Sequence, residues 1–359
     1  MNEDKASRYH RLKRTVGIVS MAAGVLVFVA LLATGGSIWL RVIARGYVLP
    51  YVILLSLVNE VISLPLAFYS GYVLERRYGL SNETLGGWAL DQLKSFAVAI
   101  VLGGGAAVLI YWLIRLSPDR WWLTAGLVFA LLIVGLTNLA PVLLLPLFYT
   151  LKPLERETLQ ARLLALAARA GARVLGVYEW GLAEKTKKAN AALTGVGSTR
   201  RILVSDTMLA DYSDDEIEVV LAHELAHHVH GDIWKGIIFQ SFLILAGFYL
   251  ASRVMLALAG PLGLSGVDDV AGLPLLMLAA GAVSLVMVPF AHAMSRAFER
   301  SADRFALELT RNPSAFISAM KRLGAQNLAE DQPSKIVQLL FYSHPPLRER
   351  IAIAQAYKS

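Results

Sequence analysis

The chain has 359 residues, 56% of them hydrophobic and only 17% charged, a composition that points to membrane spans and away from an ordinary soluble protein. It has no cysteine, which excludes disulfides, iron–sulfur clusters and thiolate zinc sites and leaves His, Asp or Glu to hold any metal. The formal charge of +7 reads as membrane-flanking Lys and Arg, because no RNA- or DNA-binding motif accompanies it.

A basic start with Arg8, Arg11, Lys13 and Arg14 precedes the first apolar run, residues 15–34. That run is long for a signal peptide, and no small-residue cleavage site follows before Trp39 and Arg41, so it reads as a retained span. Further spans are expected at residues 47–72, 96–114, 122–148, 237–259 and 273–293, each near the roughly 20 residues a bilayer requires, which makes six in all. Pro50, Pro65 and Pro141 predict kinks in the second and fourth. Glu60, beside Asn59 in the second span, is an ionisable group in the membrane. Such groups face a bundle interior or a wet cavity, and both a cavity-lining role and a polar pairing between helices are open.

Orientation follows from the basic residues. The N-terminus, the segment around Arg76, Arg77 and Lys94, and the region after Lys152 are rich in Lys and Arg and are expected in the cytoplasm. Loop 260–272 has only Asp268 and Asp269, as suits the far side; Arg41, Arg45, Arg115 and Arg120 fall there against the trend.

The hydrophilic stretch 152–235 reads as a catalytic insert between four spans and two. It begins with an amphipathic helix over 154–170, ending at Gly171, and a strand over 174–180. Residues 191–194 and 202–204 form a hairpin around Gly195 and Gly197. Ser213-Asp214-Asp215-Glu216 is then a capping box, and Ile217, Val220, Leu221 and Leu225 make an apolar stripe down the helix it starts. On that helix lies His223-Glu224-Leu225-Ala226-His227. Two histidines four apart stack on one helix face and can reach one zinc, while the glutamate beside the first lies next to a zinc-bound water and can act as its base. The bland alternative is a helix that happens to carry two surface histidines.

A catalytic zinc normally takes three protein ligands and keeps one position open. Ten residues after the first histidine stands Ile233, which removes the metzincin arrangement. His228 and His230 point off the His223/His227 face and read as helix-end surface residues. The best candidate is Glu299, in the segment that leaves the sixth span, with Asp303 one turn further on to accept a hydrogen bond from a ligand imidazole. Read alone, this segment could equally be a juxtamembrane helix with alternating surface charges.

Together with Ser343-His344-Pro345-Pro346-Leu347, these motifs resemble the integral-membrane gluzincin metallopeptidases, the family of the CAAX prenyl endopeptidases and the HtpX-like quality-control proteases. Residues 75–94 and the passage from Pro146 to Leu154 are similar to the CAAX-protease branch. The resemblance implies that Glu299 is the third zinc ligand, that His344 stabilises the oxyanion of peptide hydrolysis, and that Arg350 anchors the turn around it. It further implies that Asn190, in Lys188-Ala189-Asn190-Ala191, holds the substrate backbone on an edge strand. Residue 344 read without the resemblance is a histidine capping a turn before two prolines.

The expected molecule is therefore a mainly α, polytopic membrane protein with about six transmembrane helices and a cytoplasmic α+β zincin-like insert. Its expected parts are a four-span region 1–151, the insert 152–235, a two-span hairpin 236–294 and a C-terminal segment 295–359. It would hold one zinc per chain and cleave peptide or protein substrates, prenylated or membrane-bound, with no nucleic-acid partner. A bacterial inner membrane and an endoplasmic reticulum fit equally, and degradation of damaged membrane proteins would use the same site. A catalytically silent membrane scaffold is the rival of another class, and the intact ligand set with Glu224 argues against it.

Overall fold

The computed structural model describes residues 4–195 and 200–357; Gly197, expected in the hairpin turn, lies outside the described residues. The chain opens with α1 (Lys5–Ala33), capped at its start by the Asp4 carboxylate, and the short α2 (Gly36–Ile43). There follow α3 (Val48–Phe68), a π-helical turn (Tyr69–Val73), α4 (Leu74–Arg77), α5 (Leu85–Leu116), α6 (Trp121–Leu143) and α7 (Leu145–Phe148). The second half begins with β1 (Leu151–Pro153), α8 (Glu157–Arg169), β2 (Gly176–Trp180), β3 (Ala191–Thr194) and β4 (Arg201–Ser205). It continues through α9 (Asp206–Asp211), α10 (Asp214–Val229), α11 (Asp232–Leu258) and α12 (Leu273–Thr310). The chain closes with α13 (Pro313–Gln326), α14 (Lys335–Phe341) and α15 (Leu347–Ala356).

Among the described residues six helices are long and apolar enough to cross a membrane, in the six places the hydropathy pattern indicates. The helices overrun the apolar windows: α5 begins at Leu85 under a Thr84 cap, and α12 runs 38 residues as one piece. A hydropathy window stops at the first charges, whereas the backbone needs only continued hydrogen bonding to remain helical. Pro50 falls in the first turn of α3, where its missing N–H costs no helical bond, so no break is required there. Pro65 lies inside α3 just before the π turn, and Pro141 inside α6 just before the break at Leu144.

Close helix contacts use residues without side chains. A Cβ on Gly126 of α6 would come within 2.4 Å of Leu245 on α11, and one on Gly104 of α5 within 2.8 Å of Leu49 on α3. At the end of the bundle away from the sheet, Tyr51 donates to Ser37 and Ser37 to the carbonyl of Ala271, each at 2.6 Å, and Arg41 pairs with Asp269. In the membrane half Gln92 donates to Glu60 at 3.1 Å, the helix-to-helix pairing of the two readings open for that residue.

The four strands form one sheet in the order β1-β2-β4-β3, with β2 and β4 parallel and the other pairs antiparallel. Among the described residues strand β3 is thus an edge, joined only to β4 in the register Ala191↔Val204 to Thr194↔Arg201. Helix α8 starts three residues later than its apolar pattern suggests, because the Leu154 N–H still bonds to the Val177 carbonyl and prolongs the sheet pairing. Leu159, Leu163 and Leu166 of α8 pack with Ile217, Leu221 and Leu225 of α10 in one core against the sheet. This core holds α10 rigidly, with its polar face free for chemistry.

Candidate active site

Helix α10 begins at a complete capping box: Ser213 and Glu216 each bond the other's backbone N–H. The Glu216 carboxylate is buried and also takes the Ser318 hydroxyl at 2.6 Å, which ties the helix start to α13. From this fixed start the 3.6-residue period turns Ile217, Val220, Leu221 and Leu225 into the core and carries His223 and His227 on another face, their ring centroids 5.1 Å apart.

Both Nε2 atoms face one carboxylate on α12. Glu299 Oε2 is 3.2 Å from His223 Nε2, and Glu299 Oε1 is 3.4 Å from His227 Nε2. The opposite ring nitrogens meet acids: His223 Nδ1 lies 2.9 Å from Asp303 Oδ1, and His227 Nδ1 lies 3.0 Å from Asp232 Oδ2. Each imidazole, giving its Nδ1–H to an aspartate, presents a lone pair at Nε2 toward the common centre. Asp303 is fully buried and gripped by Arg350, whose Nε and Nη2 donate to its two oxygens at 2.9 and 2.6 Å.

His344, one turn before α15, reaches the same centre: its Nδ1 is 2.8 Å from Glu299 Oε2, while its ring is largely exposed. Glu224, His344 and Asn190 all line a cavity of about 420 Å³ beside β3, with His223 in its wall. Asn190 is exposed and is held from behind, its backbone N–H on the Ser205 hydroxyl and its carbonyl on the Ser205 N–H. His228 and His230 lie off the cluster; His230 caps the helix end and packs edge-on against Phe305.

The charges are tuned by this burial. Burial holds the Glu224 carboxyl above the usual carboxylate range, against the pull of His223 and His227. Burial pushes His223 down, but the Asp303 and Glu299 carboxylates beside it win and raise it to about 9; Glu299 likewise lifts His227 over the cost of burial. One donor atom each from His223, His227 and Glu299 lie within 4.8 Å of one another. Glu299 Oε2 is buried with no aligned hydrogen-bond partner among the described residues, although two histidines stand close to it. Two imidazole nitrogens and a carboxylate converging in this way, with a buried oxygen left over, fit a divalent cation of zinc type.

Two members of this arrangement escape a reading of the sequence. Asp232 sits just beyond the left-handed turn at Gly231 (φ 67°), and only that turn folds it back onto His227. Asn327 brackets the backbone of Ala189, accepting from its N–H at 3.0 Å and donating to its carbonyl at 3.1 Å. A lone asparagine at the end of a helix carries no signal of such a contact.

A histidine pair and an acid meeting at the membrane-proximal end of a helical bundle, over a small sheet, define a multi-pass membrane metalloprotease. Residues 153–358 match the model of peptidase family M48, and residues 2–150 match one described as CAAX prenyl protease N-terminal, five membrane helices; the chain belongs to family M48. It is 32% identical over 361 residues to an uncharacterized metalloprotease, YhfN, of Bacillus subtilis, a match covering 98% of this chain and 84% of the relative. Against CAAX prenyl protease 1 of Saccharomyces cerevisiae it is 28% identical over 318 residues, 83% of this chain and 70% of the relative. The crystal structure of S. mikatae Ste24p shares its fold, with a TM-score of 0.86 at 24% identity over 98% of this chain and 88% of that one.

Proposed function

We propose that the chain is a zinc endopeptidase that cleaves prenylated, CAAX-type substrates at the cytoplasmic face of a membrane. The observation that carries this reading is the convergence of His223, His227 and Glu299, with His223 in the wall of a cavity that also presents Glu224 and His344 beside an open strand edge. His223, His227 and Glu299 would hold the ion, with Asp303 and Asp232 fixing the tautomer of the two imidazoles. Zinc, when bound, supplies Lewis acidity and a water whose pKa falls to about 7.

The chain's own groups do the rest. Glu224 takes a proton from the attacking water and delivers it to the leaving amine, a task its raised pKa suits. His344 donates an N–H to the oxyanion as the carbonyl becomes tetrahedral. The substrate backbone adds along the open edge of β3, with Asn190 holding it at the end nearest the cavity. Edge pairing reads little of the sequence, so a recognised C-terminal group and its position in the membrane must supply specificity.

Substrate class rests on the relatives named CAAX prenyl protease 1, in yeast and human among others. Orientation rests on Arg76, Arg77 and Lys94 toward the sheet end; Arg41, paired with Asp269, stands at the other end with Arg45, Arg115 and Arg120 against the trend. The division at about residue 151 is supported by β1 starting just past the fourth span, whereas those at about 235 and 294 fall within α11 and α12 and mark a change of hydropathy along a continuous helix.

The test is cleavage of a farnesylated C-terminal peptide by the purified protein, with and without a zinc chelator, beside the same peptide unprenylated and an unrelated membrane peptide. Chelator-sensitive cutting that prefers the farnesylated peptide is expected. Equal cutting of all three would replace this reading by degradation of damaged membrane proteins.

A further inference from the structure

We infer that Arg14, on the first membrane helix, is a positioning residue for His344. This rests on the reading of His344 given above. Residues 10 and 14 share a face of α1, and both reach the segment that leads to the site. Arg14 Nη1 donates to Glu330 Oε2 at 2.6 Å and to the Tyr342 hydroxyl at 3.2 Å, and the Tyr342 hydroxyl closes the triangle by donating to the same Glu330 oxygen. Glu330 is buried, with 9% exposure, so its charge is held by this guanidinium and not by solvent. His10 Nε2 donates at 2.9 Å to the carbonyl of Leu328, a residue kept in the left-handed region at φ 55°.

Tyr342 is therefore fixed at two points. Its hydroxyl is tied to α1 through Arg14 and Glu330, and its carbonyl takes Arg296 Nη1 of α12 at 2.6 Å. His344 follows two residues later, and Pro345 is buried directly after it. The His344 side chain is 62% exposed and has little packing of its own, so the course of its backbone decides whether Nδ1 stays 2.8 Å from Glu299. A membrane helix thus sets the place of a group that must meet a developing oxyanion, where a displacement of about 1 Å can cost up to about a hundredfold in rate.

The test is a double-mutant cycle of Arg14→Ala with His344→Ala on the full chain, using the farnesylated peptide and recording kcat, KM and zinc content. Arg14→Ala alone is expected to lower kcat about ten- to a hundredfold with KM within about twofold and zinc unchanged. In the His344→Ala background it should cost nothing further, and Tyr342→Phe should behave as a milder Arg14→Ala. A spin label on Ser343→Cys should be immobile with Arg14 present and mobile without it, independently of turnover. An equal loss in both backgrounds, or an unaltered spectrum, overturns the clamp while leaving His344 in the site. A His344→Ala enzyme with full kcat overturns the reading of His344 itself.

Discussion

Glu299 Oε2 lies 3.2 Å from His223 Nε2, although the whole of α11, a loop and most of α12 separate the two residues in the chain. The hairpin of the last two spans closes that distance, so the membrane region completes the site and does more than anchor it.

Removing the base should separate metal binding from turnover. Glu224 is not among the three converging donors, so Glu224→Gln is expected to retain about one zinc per chain and to lose about a hundred- to ten-thousandfold in kcat. Zinc analysis and kinetics on one preparation check it, and near-normal turnover would remove Glu224 from the proton path.

Loss of the acid on α12 should act on the metal itself. Glu299→Ala leaves two donors, and zinc affinity and activity should fall together, while His228→Ala and His230→Ala hold zinc normally. Asp232→Asn changes only the group behind His227 and should weaken zinc by about ten- to a hundredfold. A competition assay with a chromophoric chelator ranks all four variants; unchanged zinc affinity in Glu299→Ala would place the third ligand elsewhere, with Asp303 next to be tested.

The oxyanion role of His344 predicts a kinetic split. His344→Ala should keep zinc, keep KM within a few fold and lower kcat about a hundred- to a thousandfold, since the lost hydrogen bond belongs to the transition state. His344→Phe, which keeps bulk without the donor, should be no better. A turn-capping role predicts instead a lower melting temperature with kcat unchanged.

Zinc and protons should compete. In the apoprotein His223 is raised to about 9 from an ordinary 6.5, so its contribution to stability is fully present below about pH 6.5 and is lost as pH rises through 9. A metal ligand must be neutral, so zinc affinity should rise over that same window. Calorimetric titration in two buffers of different ionisation enthalpy at pH 7.5 should report net proton release; no release would contradict the raised imidazole.

Orientation is open to labelling, because the chain has no cysteine of its own. Ser265→Cys, exposed in the loop before α12, should react with an impermeant maleimide only from outside the cell, and Ser314→Cys, exposed on α13, only from the cytoplasm. The reverse pattern would invert the topology.

Local information determined most of the scaffold. The six spans follow from runs of apolar residues long enough for a bilayer, and α10 follows from a capping box and an apolar stripe of helical period. The pairing of His223 with His227 needs only the 3.6-residue turn, so it is fixed as soon as the helix is. Partners supplied by other elements are different, because their sequence spacing carries no distance. Asp232 and Asn327 look like ordinary polar residues until a turn or a packed helix brings them to His227 and Ala189. The place of β3 at the sheet edge, with Asn190 in the cavity that His344 also lines, depends on β2 pairing in parallel with β4, a crossover no local pattern encodes. Likewise Arg350 reaches Asp303 across 47 residues, and Arg14 reaches Glu330 across 316. Periodicity records what a residue's own helix or strand does with it, whereas burial beside a distant charge exists only once the chain has closed on itself.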